Sequence, residues 1–437
     1  MILSESESKT IIERTLSFSS ADEIRVNLSG GHSGNTRFAL NSITTSGDED
    51  TLNVRVLAYF GKQHASASGT EFTDDALHKI VHTAEEAARF APEDPEYVPE
   101  LHPQVYLPIT PYFSSTAAAT PELRAKGVQS SIEPSINKDL ISAGFFSNRH
   151  GFSAVGNNHN LFGYYQGTNA SFSVTTRTQD GLGSGWGSDS ARNIDQVDYR
   201  AASARALEKA EASSSSKTLE PGTYPVILEP QAVSDFMRFG SYALNARSAD
   251  EGRSFFSKAG GGNKIGEKVA GANVTLRSDP THPELLGSPF GGDGLPAKKN
   301  IWIKNGVLSQ LYYDRYWAEK QGKEPTGFPS SIIIDGEKGT LHDLISSTEH
   351  AVLVTRFWYI RFVDPQSLLL TGLTRDGTFW VENGRIQHAI KNFRFNESPM
   401  AVFNKITGMS EPVRVGGSMV PAMRASEFTF SSLSDAV

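Results

Sequence analysis

The chain has 437 residues, with 41 Lys and Arg against 49 Asp and Glu for a formal charge of −8, and no cysteine. That length exceeds one ordinary core and predicts two domains, while the acidic balance argues against a broad phosphate-binding surface and makes nucleic acid an unfavoured partner. Without cysteine there are no disulfides, no thiolate metal sites and no Cys nucleophile. The start, "MILSESESKT", has no basic segment followed by an apolar run. No apolar stretch approaches the roughly 18 residues of a membrane span. A soluble, cytoplasmic protein is the expectation.

In chain order, residues 6–17 read as a first helix. "EIRVNLSG", "NTRFALNSITTS" and "LNVRVLAYFGKQHASASG" alternate apolar and polar positions as half-buried antiparallel strands do, with "GDED" at 47–50 as a turn between them. "TDDALHKIVHTAEEAARFA" is a helix: Thr73 is placed to cap it, and Leu77, Ile80, Val81, Ala84 and Ala88 form one apolar stripe. Pro-rich text over 92–122 predicts a surface connection. The Gly-, Ser- and Asn-rich region up to about 188 predicts strands joined by flexible tips, with "GLGSGWGS" at 181–188 as a loop bordering a cleft. "DYRAASARALEKAEASSSS" is a second helix, and its serine run marks a boundary near 213–218.

Beyond that boundary the texture changes. Asn305–Gly306, Asp376–Gly377 and Asn383–Gly384 are hairpin signals, because such pairs accept the positive φ of two-residue turns. With "SSIIID" and "AVLVTRFWYIRFV" they predict a largely antiparallel sheet. In the latter strand, alternation sets Tyr359 and Arg361 on one face and Trp358 and Ile360 on the other. Ser398 and Pro399 open a short helix. The expected fold class is therefore α+β, with an N-terminal mixed α/β domain over 1–215 and a mainly antiparallel β domain over 216–437.

Few constellations suggest chemistry. His78 and His82 lie one turn apart with Glu85 following, a spacing that can hold zinc, but Lys79 stands where a His-Glu-x-x-His protease needs its base. A solvated helix face is the expectation. "KAGGGNKIG" at 258–266 lacks the ending of a phosphate loop and reads as a mobile surface loop. "EPQAVSDFMRFGSYAL" at 229–244 follows the strand "YPVIL" and predicts a helix with Val233, Phe236, Met237, Gly240 and Leu244 as its apolar stripe. It carries no His, and Asp235 is its only acid past the Glu229 that opens it.

The blocks "EGRSFFSKAGGGNKIGEKV", "SPFGGDGLPAKKNIWIKNGVL" and "FVDPQSLLLTGLTRDGTFWVENGRIQHAIKNFRFNESPM", in this order, resemble the TldD/PmbA (TldE) family, also described as modulator of DNA gyrase and as peptidase family U62. The resemblance runs through most of residues 218–437. It implies a paired system in which a TldD-type subunit holds zinc on a His-Glu-x-x-x-His helix with a further Cys ligand. A TldE-type subunit then shares the fold without the ligands, and the heterodimer cleaves unfolded peptides. Aligning on "GRSFF" puts the three motif positions at Met237, Arg238 and Tyr242. No His occurs between His159 and His282. The resemblance therefore implies a metal-free, non-catalytic subunit with no cofactor of its own, paired with a zinc-bearing TldD-type partner or with itself. Arg253, Arg361 and Arg375 are candidate peptide- or partner-binding positions. One alternative is an enzyme active on its own through an unrecognised site, for which His282, Glu284, Asp293 and Asp364 are the available ligands. Another is a homodimeric peptide- or regulator-binding protein.

Overall fold

The computed structural model describes residues 2–109 and 111–434. Helix α1 (Glu5–Ser17) opens on a capping box between Ser4 and Glu7. Three antiparallel strands follow: β1 (Glu23–Ala39), β2 (Ser42–Phe60) and β3 (Gln63–Gly69). The stretch at 47–50 is not a turn. Gly47–Asp50 lies inside β2, with Asp50 opposite His32, so two long strands replace the expected shorter ones. The reversal sits at Leu40 and Asn41, both at positive φ. Helix α2 (Asp74–Phe90) is capped by the Thr73 hydroxyl on the Ala76 N–H, and its apolar stripe is buried.

The Pro-rich segment wraps the surface, as expected, and then leads through a single helical turn, α3 (Ser114–Ala117), into α4 (Pro121–Asn137). Sequence periodicity leaves α4 unassigned. Its buried side is made of Arg124, Gly127, Val128, Ser131, Ile132 and Ser135, too mixed to show as an apolar stripe, and Pro134 interrupts it. Strands β4 (Leu140–Asn157), β5 (Phe162–Thr178) and β6 (Ser184–Ala191) complete a six-stranded sheet in the order β3-β2-β1-β4-β5-β6. Residues 184–188 of the loop expected at 181–188 belong instead to β6, one of the two edge strands of this sheet. Helix α5 (Tyr199–Ala212) crosses β6 so closely that a Cβ on Gly185 or Gly187 would meet the carbonyl oxygens of Ala206 and Ala202 at 2.1 and 2.0 Å.

The helices pack against one face of this sheet. Val26, Leu28, Val54 and Val56 meet the stripe of α2, while Phe38, Phe146 and Phe172 meet Val128, Ile132, Ala202 and Ala206 of α4 and α5. Among the described residues, no helix packs directly on the opposite face.

Strand β7 (Gly222–Leu228) and helix α6 (Pro230–Ala243) begin the second half. Two small sheet systems follow. Strands β8 (Leu276–Ser278), β9 (Asn300–Lys304), β10 (Val307–Leu308), β11 (Ile332–Ile334), β17 (Val413–Val415) and β18 (Ser418–Val420) form one. The other is a seven-stranded sheet of β7, β12 (His350–Asp364), β13 (Leu369–Glu382), β14 (Arg385–Ala389), β15 (Phe393–Glu397), β16 (Ile406–Met409) and β19 (Met423–Leu433), in which β12 pairs with β13 and closes the path β12-β7-β19-β15-β13 on itself. The fold class is α+β with an N-terminal α/β part and a C-terminal β-rich part. The pairings are mainly antiparallel, apart from β7 with β12 and β11 with β18.

Asn305–Gly306 and Asn383–Gly384 turn the β9–β10 and β13–β14 hairpins, with φ of 49° and 79°, and 51° and 74°. Asp376–Gly377 does not make a turn. It sits within β13 at φ of 57° and 112°, opposite a register shift in β12, with Asp376 buried. A positive-φ pair thus marks either a hairpin or a bulge. A second shift, between Trp358 and Arg361, breaks the alternation in β12: Tyr359 takes φ 53°, Ile360 is buried, and Trp358 stays exposed.

Candidate active-site cleft

Helix α6 has two flanks. Pro230 supplies a preset φ at its first turn, and Glu229 before it is held by Lys209 of α5, whose ammonium reaches both carboxylate oxygens at 2.7 and 2.6 Å. On the inner flank, Val233, Phe236, Met237, Gly240 and Leu244 are buried, as the stripe predicts. Phe236 sits among the rings of Phe357, Phe395 and Phe428, at centroid separations of 5.4, 5.8 and 6.0 Å. A well-filled aromatic core therefore fixes the axis of the helix.

The outer flank borders a cleft of about 510 Å³. Gln231, Ser234, Asp235, Arg238, Ser241 and Tyr242 form one wall, and Met237 reaches it from the core side. The helix-free face of the first sheet forms the facing wall through Ser171, Ser173, Trp186, Ser188 and Ser190. Residues 328–332 and the β17–β18 hairpin close the ends. A second recess of about 390 Å³ shares Trp186, Ser188, Asp189, Gln231, Val415 and Gly416 with the first, so the two run together past the hairpin.

Four contacts fasten the two walls. Arg414 of β17 pairs with Asp189 at 3.2 Å, and Lys209 holds Glu229. Ser184 donates to the buried Asp376 at 2.6 Å. Arg356 lies 3.5 Å from Asp376 and stacks on Trp186, its guanidinium 4.4 Å from the ring centre.

Asp235 is the one titratable acid on the cleft flank of α6. It accepts from Gln231 Nε2 at 2.7 Å and from the Phe357 N–H at 3.0 Å. Burial pushes its pKa up to about 6, opposed by the positive charge of Arg356, by these two hydrogen bonds and by Arg238. It braces α6 against β12 and has little freedom to ligate anything else.

The other sequence candidates are dispersed. Tyr242 is 55% exposed, with its ring 6.4 Å from that of Phe328. Arg253 pairs with Glu251, and Arg361 lies over the Tyr359 ring at 4.3 Å. Arg375 lies 5.1 Å from the Trp358 ring centre and beside Asp376. None of these three arginines lines the cleft. His78 and His82 face solvent, whereas Glu85 turns inward to accept from Ser19, Ser20 and Ala21. His282, Glu284, Asp293 and Asp364 are not brought together, and among the described residues no three His, Asp or Glu side chains gather around a point that could hold a metal.

The sequence places 181–188 beside a cleft, as Trp186 and Ser188 are, but as a loop; that the facing wall is a sheet face with Ser171, Ser173 and Ser190 in it was missed. Its signal is the period-two pattern Ser184, Trp186, Ser188, Ser190 against Gly185 and Gly187. α5 lies on the two glycines, and Trp186, Ser188 and Ser190 line the cleft, whereas Ser184 turns to the buried Asp376.

Models of the PmbA/TldA metallopeptidase central domain and C-terminal domain match residues 119–214 and 221–432. The chain belongs to the PmbA/TldD metallopeptidase family. Metalloprotease PmbA of Escherichia coli O157:H7 is 24% identical over 407 residues, covering 87% of this chain and 85% of that protein. A Methanocaldococcus jannaschii protein of uncharacterised role is 28% identical over 35% of this chain, and a Buchnera aphidicola TldD homologue 26% identical over 47%. Those two alignments span only 37% and 44% of the relatives' own lengths. Among solved structures, TldE from Thermococcus kodakarensis superposes with a TM-score of 0.85 at 18% identity, over 97% of this chain and all of that one. A proposed modulator of a DNA gyrase from Thermotoga maritima gives 0.87 at 17% identity, over 97% of this chain and 100% of its own.

The residues of α6 do not fit the zinc site that the family resemblance implies. A hydrolytic zinc takes imidazole, thiolate or carboxylate donors and needs a base for its water. At the positions that the resemblance aligns with the zinc motif, Met237, Arg238 and Tyr242, this chain offers a thioether, a guanidinium and a phenol. Arg238 would repel a dication, and the Asp235 carboxylate is already engaged by two donors.

Proposed function

We propose that this chain is a metal-free, non-catalytic TldE-like subunit that pairs with a TldD-type zinc peptidase, or with a copy of itself, and forms one wall of a channel for extended peptides. The observation that carries this reading is the cleft flank of α6. The family resemblance aligns α6 with the zinc helix of a TldD-type subunit, and its cleft flank presents Ser234, Arg238, Ser241 and Tyr242. The cleft itself suits an unfolded chain. β6 is an edge strand of its sheet, and an edge strand can recruit a peptide through main-chain hydrogen bonds with little regard to sequence. On β6 the main-chain groups of Ser184 are already taken by Ser213 and the Ser188 carbonyl by Arg205, which leaves the middle of the strand for this.

Two measurements test the proposal. Co-expression with a homologue that bears an intact His-Glu-x-x-x-His helix is expected to yield a mixed dimer that cleaves an unfolded peptide. The purified chain supplied with zinc is expected to show no turnover. Robust peptidase activity of the chain alone, lost on chelation, would reverse the assignment.

A further inference from the structure

The helix-free face of the first sheet carries rows of side chains set by strand register. Phe145, Ser173 and Ser188 face one another across β4, β5 and β6, and so do Ser147, Ser171 and Ser190. The serines of β5 and β6 in these rows line the cleft. One step further along the same face, Arg149 stands opposite Asn169. Arg192 directly follows Ala191, the last residue of β6 paired with β5, and continues the alternation of Trp186, Ser188 and Ser190. Carried one residue past the end of β6, the same register sets Arg192 beside Asn169 and Arg149, about 7 Å along the strands from the serine row and just beyond the residues that line the cleft.

Arg192 is 6% exposed, yet its Nε and Nη2 find no acceptor among the described residues, and the same is true of Asn169 Oδ1. The backbone at Arg192 is fixed, since its carbonyl accepts from the hydroxyls of Thr116 and Thr168, both at 2.9 Å. Burial holds its pKa below the ordinary arginine value, opposed by the nearby Tyr165. Unlike Arg414, Arg356 and Arg124, which meet carboxylates, Arg192 has no counter-ion among the described residues. A buried cation without a partner burdens the fold. A carboxylate arriving from the cleft would relieve that burden, because a planar guanidinium fork presents paired donors that match both oxygens. Asn169 can turn its amide to add an N–H, and the exposed Arg149 adds charge from the open side.

We propose that Arg192, with Asn169 and Arg149 beside it, is a carboxylate subsite at the end of the serine-lined cleft and anchors a carboxylate of the bound peptide. The carboxylate is either the free C-terminus or an Asp or Glu side chain. This rests on reading the cleft as a peptide channel.

The test measures anisotropy of labelled Gly/Ser peptides on the full-length chain. The probes are a free acid, its C-terminal amide, and an amide with one internal Glu. The free acid is expected to bind roughly 10- to 100-fold tighter than the plain amide, the range for hydrogen bonds to a charged group. Recovery by the Glu-containing amide assigns the subsite to side-chain carboxylates, and no recovery assigns it to the C-terminus. Arg192→Gln should abolish the difference, and Arg192→Lys should restore part of it. Both variants should melt no lower than the parent chain, whereas a merely structural arginine would lower the melting temperature of each. Equal affinity for acid and amide, or discrimination that survives Arg192→Gln, overturns the subsite and leaves the channel standing. Failure of the chain to bind any of the peptides overturns both.

Discussion

The two flanks of α6 have the same backbone and opposite requirements. On the inner flank the side chains are buried and packed: Phe236 lies among three aromatic rings, and the Met237 methyl fills the space beside Gly240. On the cleft flank Ser234, Arg238, Ser241 and Tyr242 border the cleft, with the Ser241 hydroxyl on the Met237 carbonyl and the Tyr242 ring 6.4 Å from that of Phe328. The difference separates the positions that hold the helix from those that face the cleft. Arg238 and Tyr242 on the cleft flank can vary while the helix stays in place, because the inner flank, Met237 included, holds it.

The largest effect should come from breaking the inner flank. Phe236→Ala removes a fully buried ring and is expected to destabilise the chain by about 3–5 kcal/mol, read as a shift in the urea midpoint. Next is the face of β6 beneath α5. Gly187→Ala forces a methyl to within 2.0 Å of the Ala202 carbonyl oxygen, so α5 must lift. A cost of about 1–3 kcal/mol is expected, together with a looser Lys209–Glu229 contact, because Lys209 rides on the same helix. Denaturant unfolding checks the first and protection of the β6 amides from exchange checks the second.

How much of this was legible beforehand depends on which forces leave a pattern in a single segment. Helix α2 announces itself, since five apolar residues at helical spacing face one core and Thr73 caps the start. The stripe of α6 is equally plain. By contrast α4 buries Arg124, which extends to Asn148 and Asp48, and packs Gly127 against the Phe146 ring. Its inner side is defined by partners on other strands and cannot be read from its own spacing. The same reason hid the cleft. Trp186, Asp189 and Arg414 come from segments more than 200 residues apart in the extreme case, and only tertiary structure puts Arg414 on Asp189. The resemblance of the C-terminal blocks carried the family, whereas the walls of the cleft needed register.

Asp235 sits at the seam between the flanks and gives a pH signature. Its pKa is raised from 3.8 to about 6 in the folded chain, so the fold favours the protonated carboxyl. Its contribution is fully present below the unfolded pKa and is lost as pH rises through about 6, making the chain less stable at neutral pH than at pH 4 as far as this group is concerned. Asp235→Asn keeps an oxygen for the Phe357 N–H and removes the charge. It should flatten that part of the stability profile and raise stability at pH 7 by about 1–3 kcal/mol, the scale of a shift this size for a partly screened group. Urea midpoints at pH 4, 5, 6 and 7 for both proteins check it. A parent profile that rises across this window would mean that Arg356 outweighs the burial of Asp235.

The smallest effect should come from the cleft flank itself, and it is the sharpest check on the contrast. Arg238 is exposed and makes no ion pair among the described residues, although its charge reaches Asp235. Arg238→Ala should therefore leave stability within about 0.5 kcal/mol, as for surface positions away from special contacts. If the helix had kept a structural metal or a hidden anion partner there, the loss would be several times larger and would depend on chelator or salt. A near-silent Arg238→Ala beside a severe Phe236→Ala, two residues away on the same helix, would show that one flank carries the fold and the other is free for binding.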